Sequence, residues 1–483
     1  MTTDGTKPSM ATKLIELALR ECVEFWHDES NDGFADFRSN GHLESMKIRS
    51  TGFRQFLRKL FFVENETAVN GQAIAEAIET LDGKAVFQGK RFKCNVRIGH
   101  LDGDIFLDLG NKHWQVIHIN RHKWSLCNYD QVPVKFVRPK ALLPLGMPIG
   151  NGKLSDLRKL INVSDDDWVL VVAFLLSCFQ PKGAYPILFV HGEQGSAKST
   201  ACRLIRQLID DNISPVRAKA RDEDALLIAA KNGAVVALDN LSFIDDSLSD
   251  SLCRLTTGAG LSKRSLYTDS DETILNVKRP ILINGIPELA SRGDLLSRSL
   301  ILQLPSIDDD HRKTESQINE QFEKLRSSCL GGLLNAVVSA LDNQDQIRPD
   351  KLPRLADFFS WVVAGAETAG LEKGQFESVY RKRLKATNRQ AIDNSLIGSA
   401  IAEFANRLTE AWTGTTMTLL QELGNQQEPE MRHQLQRERS WPKTPRALGG
   451  QLRRLSPDLR RLGILINLNI DGRRTLEIKN EKG

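Results

Sequence analysis

Tyr185-Pro-Ile-Leu-Phe-Val-His-Gly-Glu-Gln-Gly-Ser-Ala-Lys-Ser-Thr200 is the stretch from which the rest of the chain is read. Tyr185 to Val190 form a short apolar run of strand length, and Leu204, Ile205, Leu208 and Ile209 repeat downstream at helical spacing. Between strand and helix, Gly192, Glu193, Gln194, Gly195, Ser196, Ala197, Lys198, Ser199 and Thr200 follow the pattern GxxxxGK[ST], with Ala197 in place of the last glycine. Small residues there let backbone N–H groups point at phosphate oxygens from a helix N-terminus. Lys198 then reaches the β and γ oxygens, and Ser199 sits on Mg²⁺. The pattern predicts an ATP and Mg²⁺ site in an α/β core. Ala197 adds a methyl group where the backbone comes close to phosphate.

Two further strands are expected to meet this loop. Gly233-Ala-Val-Val-Ala-Leu-Asp239-Asn240 is an apolar run ending in a carboxylate, which predicts that Asp239 holds Mg²⁺ through water or Ser199. Asn240 stands where a glutamate often polarises the attacking water. An amide cannot take a proton at neutral pH, so hydrolysis is expected to be slow, or to use Glu193, Asp245 or Asp246 as base. Arg279-Pro-Ile-Leu-Ile-Asn284 ends in an amide placed to sense the γ-phosphate or the water. Arg298 lies just before another apolar strand, where it could reach a neighbouring subunit's nucleotide, with Arg292 as a competitor.

The order Gly192 to Ser199, Asp239, Asn284 and Arg298 resembles the AAA+ ATPases, in particular the superfamily 3 helicases of viruses, phages and plasmids, over about residues 165 to 310. More broadly, Leu238-Asp-Asn-Leu-Ser and Ile283-Asn-Gly-Ile make the chain look like ATP-binding proteins of bacterial mobile elements and prophages. The resemblance implies an α/β P-loop NTPase (AAA+-like) core, a homo-oligomeric, hexameric ring, and a hairpin touching single-stranded DNA in the channel. The hairpin falls between Asp239 and Asn284, with Lys263 and Arg264 on phosphates and Tyr267 stacking or packing nearby. No primase motif occurs in the chain, so a primase would be a separate partner.

Outward from the core, 483 residues suggest about three domains. We expect an N-terminal α+β domain over 1–140, the ATPase core over 153–310, a helical lid over 311–423, and a basic winged-helix-like domain over 424–483. In the first, periodicity predicts helices over 11–26, 50–62 and 70–81, then antiparallel strands from Phe92 to Leu126. Trp114, Trp124 and Tyr129 could stack on bases, although aromatic residues in alternating strands usually build the core. Pro139 to Gly152 reads as the boundary loop.

The net charge of +4 is unevenly spread: residues 430–483 carry 13 Lys and Arg against 6 Asp and Glu. Arg446, Arg453, Arg454, Arg460, Arg461, Arg473 and Arg474 give this end a footprint for DNA, single- or double-stranded. The longest apolar run, Trp168 to Phe179, falls short of the ~20 residues of a membrane span. The seven cysteines show no metal spacing. A cytoplasmic protein with no membrane partner and reduced thiols is expected. The leading expectation is a ring-forming replication helicase of a mobile element or prophage. An ATP-switched DNA-binding initiator, loader or regulator, and an anti-phage defence ATPase, are its competitors.

Overall fold

The computed structural model describes residues 8–258, 261–264, 272–275, 277–285, 293–349, 351–393, 395–425, 438, 440–468 and 475–481. The chain divides into two compact units. One comprises residues 1–242, 254–286 and 300–376, and the other 243–253, 287–299 and 377–483.

In the first unit, helix Met10–Glu21 opens at Ser9, whose hydroxyl accepts the Thr12 N–H at 3.1 Å. The helix expected to run to residue 26 ends at Glu21, because Cys22–His27 is a strand. That segment, Cys-Val-Glu-Phe-Trp-His, is rich in β-branched and aromatic residues, which favour a pleated surface. It pairs antiparallel with Gly33–Ser39, burying Trp26, whose indole donates to Asp36 at 2.8 Å. Helices Thr51–Asn65 and Gly71–Gln88 join Met10–Glu21 around Leu14, Phe53, Leu57, Ile74, Ile78 and Leu81.

A second sheet of four antiparallel strands, Ile98–Leu101, Asp104–Asp108, Gln115–Ile119 and Trp124–Asn128, follows the predicted alternation. Its first turn places Asp102 and Gly103 at φ +51° and +90°, as a tight hairpin requires. Trp114 and Tyr129 are core residues beside Phe106 and Phe136, and the Trp124 indole donates to Asn335 at 2.8 Å. These aromatic side chains are therefore occupied within the fold.

The Pro139 to Gly152 loop is pinned rather than free. The Leu143 N–H donates to Asp211, the Leu145 N–H to Leu109, and the Ile149 N–H to Ser327, all backbone to backbone. A Cβ on Gly331 would lie 1.8 Å from the Ile149 carbonyl oxygen, so helix Glu315–Asn343 can press on this loop only through a glycine. Arg97 reinforces the junction from inside. Fully buried, it donates to the carbonyl oxygens of Asp108 at 3.0 Å and Asp211 at 3.1 Å, and also to that of Leu143. Residues 1–140 and the central sheet thus fall within one unit.

The central sheet has the order Val236–Leu241, Ile281–Gly285, Ile187–Gly192, Ser299–Leu304, and the first three strands run parallel. Helix Asp165–Ser177 is buried along almost its whole length. It starts at Ser164, whose hydroxyl accepts the Asp167 N–H at 3.2 Å, with three aspartates in the first turn.

The second unit is built on helices Leu396–Asn406, Thr416–Asn425 and Pro445–Arg461 and on an antiparallel sheet ordered Trp412–Thr415, Thr475–Asn480, Ile464–Leu468. One core unites Ile397, Phe404, Leu419, Leu448, Leu452 and Ile478. It therefore reaches well before residue 424, since Pro445–Arg461 buries its apolar face partly against Leu396–Asn406. Among the described residues no helix is long and apolar enough to cross a membrane.

Candidate active site

Three parallel strands deliver their carboxyl ends to one edge of the central sheet. Ligands of α/β sheets bind at such edges, because loops and helix N-termini converge there. Val190 lies in register with Asn284, Leu238 with Ile283, and Leu241 with Gly285. The register brings Asp239, Asn240 and Asn284 beside the loop that follows Ile187–Gly192.

The loop then turns directly into helix Lys198–Ile209. Gly192 has φ +155°, and a Cβ there would meet the Leu304 carbonyl at 2.6 Å and the Ser196 hydroxyl at 2.8 Å, so a side chain is barred. Ser196 is buried, and its hydroxyl donates to the Glu193 carbonyl at 2.9 Å, fixing the bend. The Lys198 ammonium donates to the carbonyls of Gly192 at 2.8 Å and Glu193 at 2.7 Å. It is thus held across the mouth of the loop. Ala197 occupies the left-handed region at φ +62°, ψ +33°, the position the motif usually gives to glycine. A β-carbon in this region costs about 1 kcal/mol or more. The chain tolerates that strain at the first turn of the helix.

Around Asp239 the predicted side chains touch one another. The Ser199 hydroxyl donates to Asp239 Oδ1 at 2.9 Å, and Asn284 Nδ2 donates to the same oxygen. Asn284 Nδ2 also lies 3.4 Å from the Ser199 hydroxyl, while its Oδ1 accepts the Asn240 N–H at 2.5 Å. Asn240 stands at φ +53°, where the strand register shifts between Leu238 and Leu241. Asparagine tolerates this conformation better than most residues, and the resulting bulge turns Asp239 and Asn240 out of the ladder. Just beneath, burial pushes the Cys202 thiol up to about 12, so it stays neutral.

The donor set suits a hard cation. Ser199 and Asp239 offer a hydroxyl and a carboxylate, and Mg²⁺ is commonly held by one or two carboxylates together with substrate phosphates. Beside the loop opens a cavity of about 710 Å³, within the range of small-molecule sites. Gly195, Ala197 and Ser199 line one side, and Ile161, Val216 and Ile318 supply apolar wall. Arg312 also faces the loop, its Nη2 lying 3.2 Å from where a Gly195 Cβ would be. No sequence pattern marked Arg312, because its place depends on a remote turn folding over the loop.

The other predicted residues belong to other elements. Arg298 belongs to the second unit and pairs with Asp294 at 2.5 Å within its own helical turn. Lys263 and Arg264 lie on strand Leu261–Arg264, antiparallel to Glu272–Leu275, so the expected hairpin is present in the backbone. Tyr267, Arg473 and Arg474 lie outside the described residues. Arg446, Arg453 and Arg454 are exposed on helix Pro445–Arg461, opposite buried Leu448, Leu452 and Leu459. Thr444 caps that helix by accepting the Ala447 N–H at 3.2 Å, with Pro445 in its first turn.

Two family models match consecutive parts of the chain. Residues 154–388 match the actinomycete integrative conjugative element replication protein, and residues 397–483 match the RepA C-terminal domain of the same elements. No curated protein matches. Among solved structures, two apo structures of the NrS-1 C-terminal region align over 98% of this chain and 99% and 100% of theirs, at 11% identity and a TM-score of 0.38. The two matches follow one another in the order of one replication protein and together span about two thirds of the chain, which supports a replication role in an integrative conjugative element.

Proposed function

We propose that this replication protein binds ATP with Mg²⁺ at residues 192–200, assembles as a hexameric ring and translocates on single-stranded DNA as a helicase. The observation that carries the reading is the meeting of Ser199, Asp239 and Asn284 at the ends of adjacent parallel strands, beside the loop bent at Gly192 and Ser196. In this reading the loop N–H groups and Lys198 bind the β and γ phosphates, and Ser199 and Asp239 hold Mg²⁺, which neutralises phosphate charge. Asn284 orients Asp239 and the attacking water. Arg298 serves the nucleotide of a neighbouring subunit. Lys263, Arg264 and Tyr267 contact the translocated strand, while Arg446, Arg453, Arg454, Arg473 and Arg474 contact duplex DNA.

Asn240 favours a second reading, an initiator, loader or regulator switched by ATP with little hydrolysis. Its backbone N–H is engaged by Asn284, and its side chain is an amide rather than a base. ATP turnover with and without single-stranded DNA, beside Lys198→Ala, separates the two. Stimulation by DNA that Lys198→Ala abolishes supports translocation. ATP binding without turnover rejects the helicase and leaves the switch, and loss of both readouts in the unaltered chain rejects the ATP site itself.

A further inference from the structure

The three parallel strands have amino ends as well, and a second cavity of about 320 Å³ lies there. Tyr185, which precedes Ile187–Gly192, Ala234, which precedes Val236–Leu241, and Pro280, which precedes Ile281–Gly285, all line it. Lys93, Cys94, Asn95, Val96, Ile98 and His100 of the N-terminal region contribute another wall. Thr257 and Gly258, on the leg entering the hairpin Leu261–Arg264 and Glu272–Leu275, and Lys278 and Arg279, on the leg leaving it, complete the lining. The cavity is the root of that hairpin.

Its charge is one-sided. Lys93, Lys278 and Arg279 line it, no aspartate or glutamate does, and none of the three cations forms an ion pair among the described residues. Lys278 donates to the Gly183 carbonyl and stands 5.0 Å from the centre of the Tyr185 ring. Arg279 donates to the carbonyls of Ala230 at 3.0 Å, Gly233 at 2.7 Å and Lys278 at 3.0 Å. Neutral acceptors fix where these cations point, and the carboxylates of Asp357 and Asp210 act on Lys278 and Arg279 from outside the cavity lining. Burial and then the charge of Lys93 push the Lys278 ammonium below its usual range against the opposing charge of Asp357, and burial lowers Arg279 against Tyr185 and Asp210. Desolvated cations not paired directly with a carboxylate are costly, and an anion arriving between them offsets that cost.

The geometry points to a phosphate-binding pocket for the backbone of single-stranded DNA at the hairpin root, formed by Lys93, Lys278 and Arg279. The inference rests on the reading of the hairpin as a DNA contact. A strand engaging the hairpin passes its root, where a cavity open on both legs receives a backbone phosphate. Strand Ile281–Gly285 then carries Arg279 before its amino end and Asn284 near its carboxyl end, so one rigid element joins the DNA pocket to the nucleotide site.

The test uses the full chain, a fluorescein-labelled oligothymidine and anisotropy titrations over a range of salt. Lys93→Gln and Lys278→Gln are each expected to reduce the slope of log affinity against log salt by about 0.7, the value for one phosphate contact on a single strand. The double variant is expected to lose about twice that, with ATP binding and Tm unchanged. An unchanged slope in the double variant overturns the pocket. Lys278→Arg keeps the charge and restores the slope; failure to restore it, with a lowered Tm, assigns Lys278 to folding and overturns its role. The hairpin is scored separately with Lys263→Ala and Arg264→Ala. Loss there alone keeps the hairpin reading and rejects the pocket, whereas loss in the Lys93 and Lys278 variants alone rejects the hairpin reading and with it the pocket as the root of a hairpin-bound strand. If inorganic phosphate raises Tm through these lysines while the DNA slope stays fixed, the pocket holds a free anion and the proposal fails.

Discussion

Asp239 in the first unit accepts hydrogen bonds from Ser199 and Asn284, whereas Arg446, Arg453, Arg454 and Arg460 in the second are exposed and form no ion pair among the described residues. The first arrangement specifies one geometry before any ligand arrives, because each side chain restrains the next. The second leaves long, hydrated side chains to adjust to a charged surface. A pre-organised cluster suits chemistry that depends on fractions of an ångström. Mobile charges suit a polyanion whose phosphates repeat along its length. The two regions should therefore fail in different ways.

The largest expected effect lies in the cluster. Lys198→Ala and Asp239→Asn should each lower nucleotide turnover by about 100-fold or more while leaving duplex DNA binding unaltered, measured as steady-state hydrolysis beside anisotropy. A comparable loss of DNA affinity would break the separation of roles. Replacing Arg446, Arg453 and Arg454 together by Gln should reduce the salt slope of duplex binding by about 2.7 and leave ATP affinity intact. A full slope in that triple variant would show that these arginines are merely a hydrated face.

A third prediction concerns the scaffold beneath the arginines. Leu452 is fully buried, and Leu452→Ala should destabilise the second unit by about 2 to 5 kcal/mol in chemical unfolding. Arginine exposure survives the change, but the helix carrying it does not hold its place. The smallest effect is expected at the loop. Ala197→Gly relieves left-handed strain but adds freedom to the unfolded chain, for a net gain of about 0.5 kcal/mol in unfolding measurements. A loss of stability would show that the Ala197 methyl group makes contacts that outweigh its backbone cost.

The site was legible in the sequence to the extent that it is local. Gly192 to Thr200 encode a bend, a charge and a helix start in consecutive residues, and Asp239 and Asn284 each end an apolar run. Their joining depends only on parallel strands aligning their ends, a regularity of the sheet. Strand Cys22–His27 was hidden because a helical apolar face runs directly into it, and because Gly33–Phe37 is buried at every position and so lacks an alternating signal. The early start of the C-terminal core was hidden for a related reason. Ile397, Ile401 and Phe404 show a good helical face, but nothing local says which partner it meets. Arg312 and Arg279 gave no signal, since isolated arginines acquire their roles through remote backbone carbonyls and turns.

Arg97 has a consequence for how this molecule can be divided. Its guanidinium carries hydrogen bonds from the N-terminal sheet to the carbonyl of Asp211, two residues after the helix that begins at Lys198, and its Nε stands 3.7 Å from buried Asp210. A chain begun at residue 153 keeps the whole phosphate motif but loses the Arg97 guanidinium that pairs with Asp210. Exchanging N-terminal regions between relatives would therefore transplant this internal electrostatic keystone along with whatever that region recognises. Inheritance of the phosphate-loop core and of the N-terminal region is coupled through one side chain.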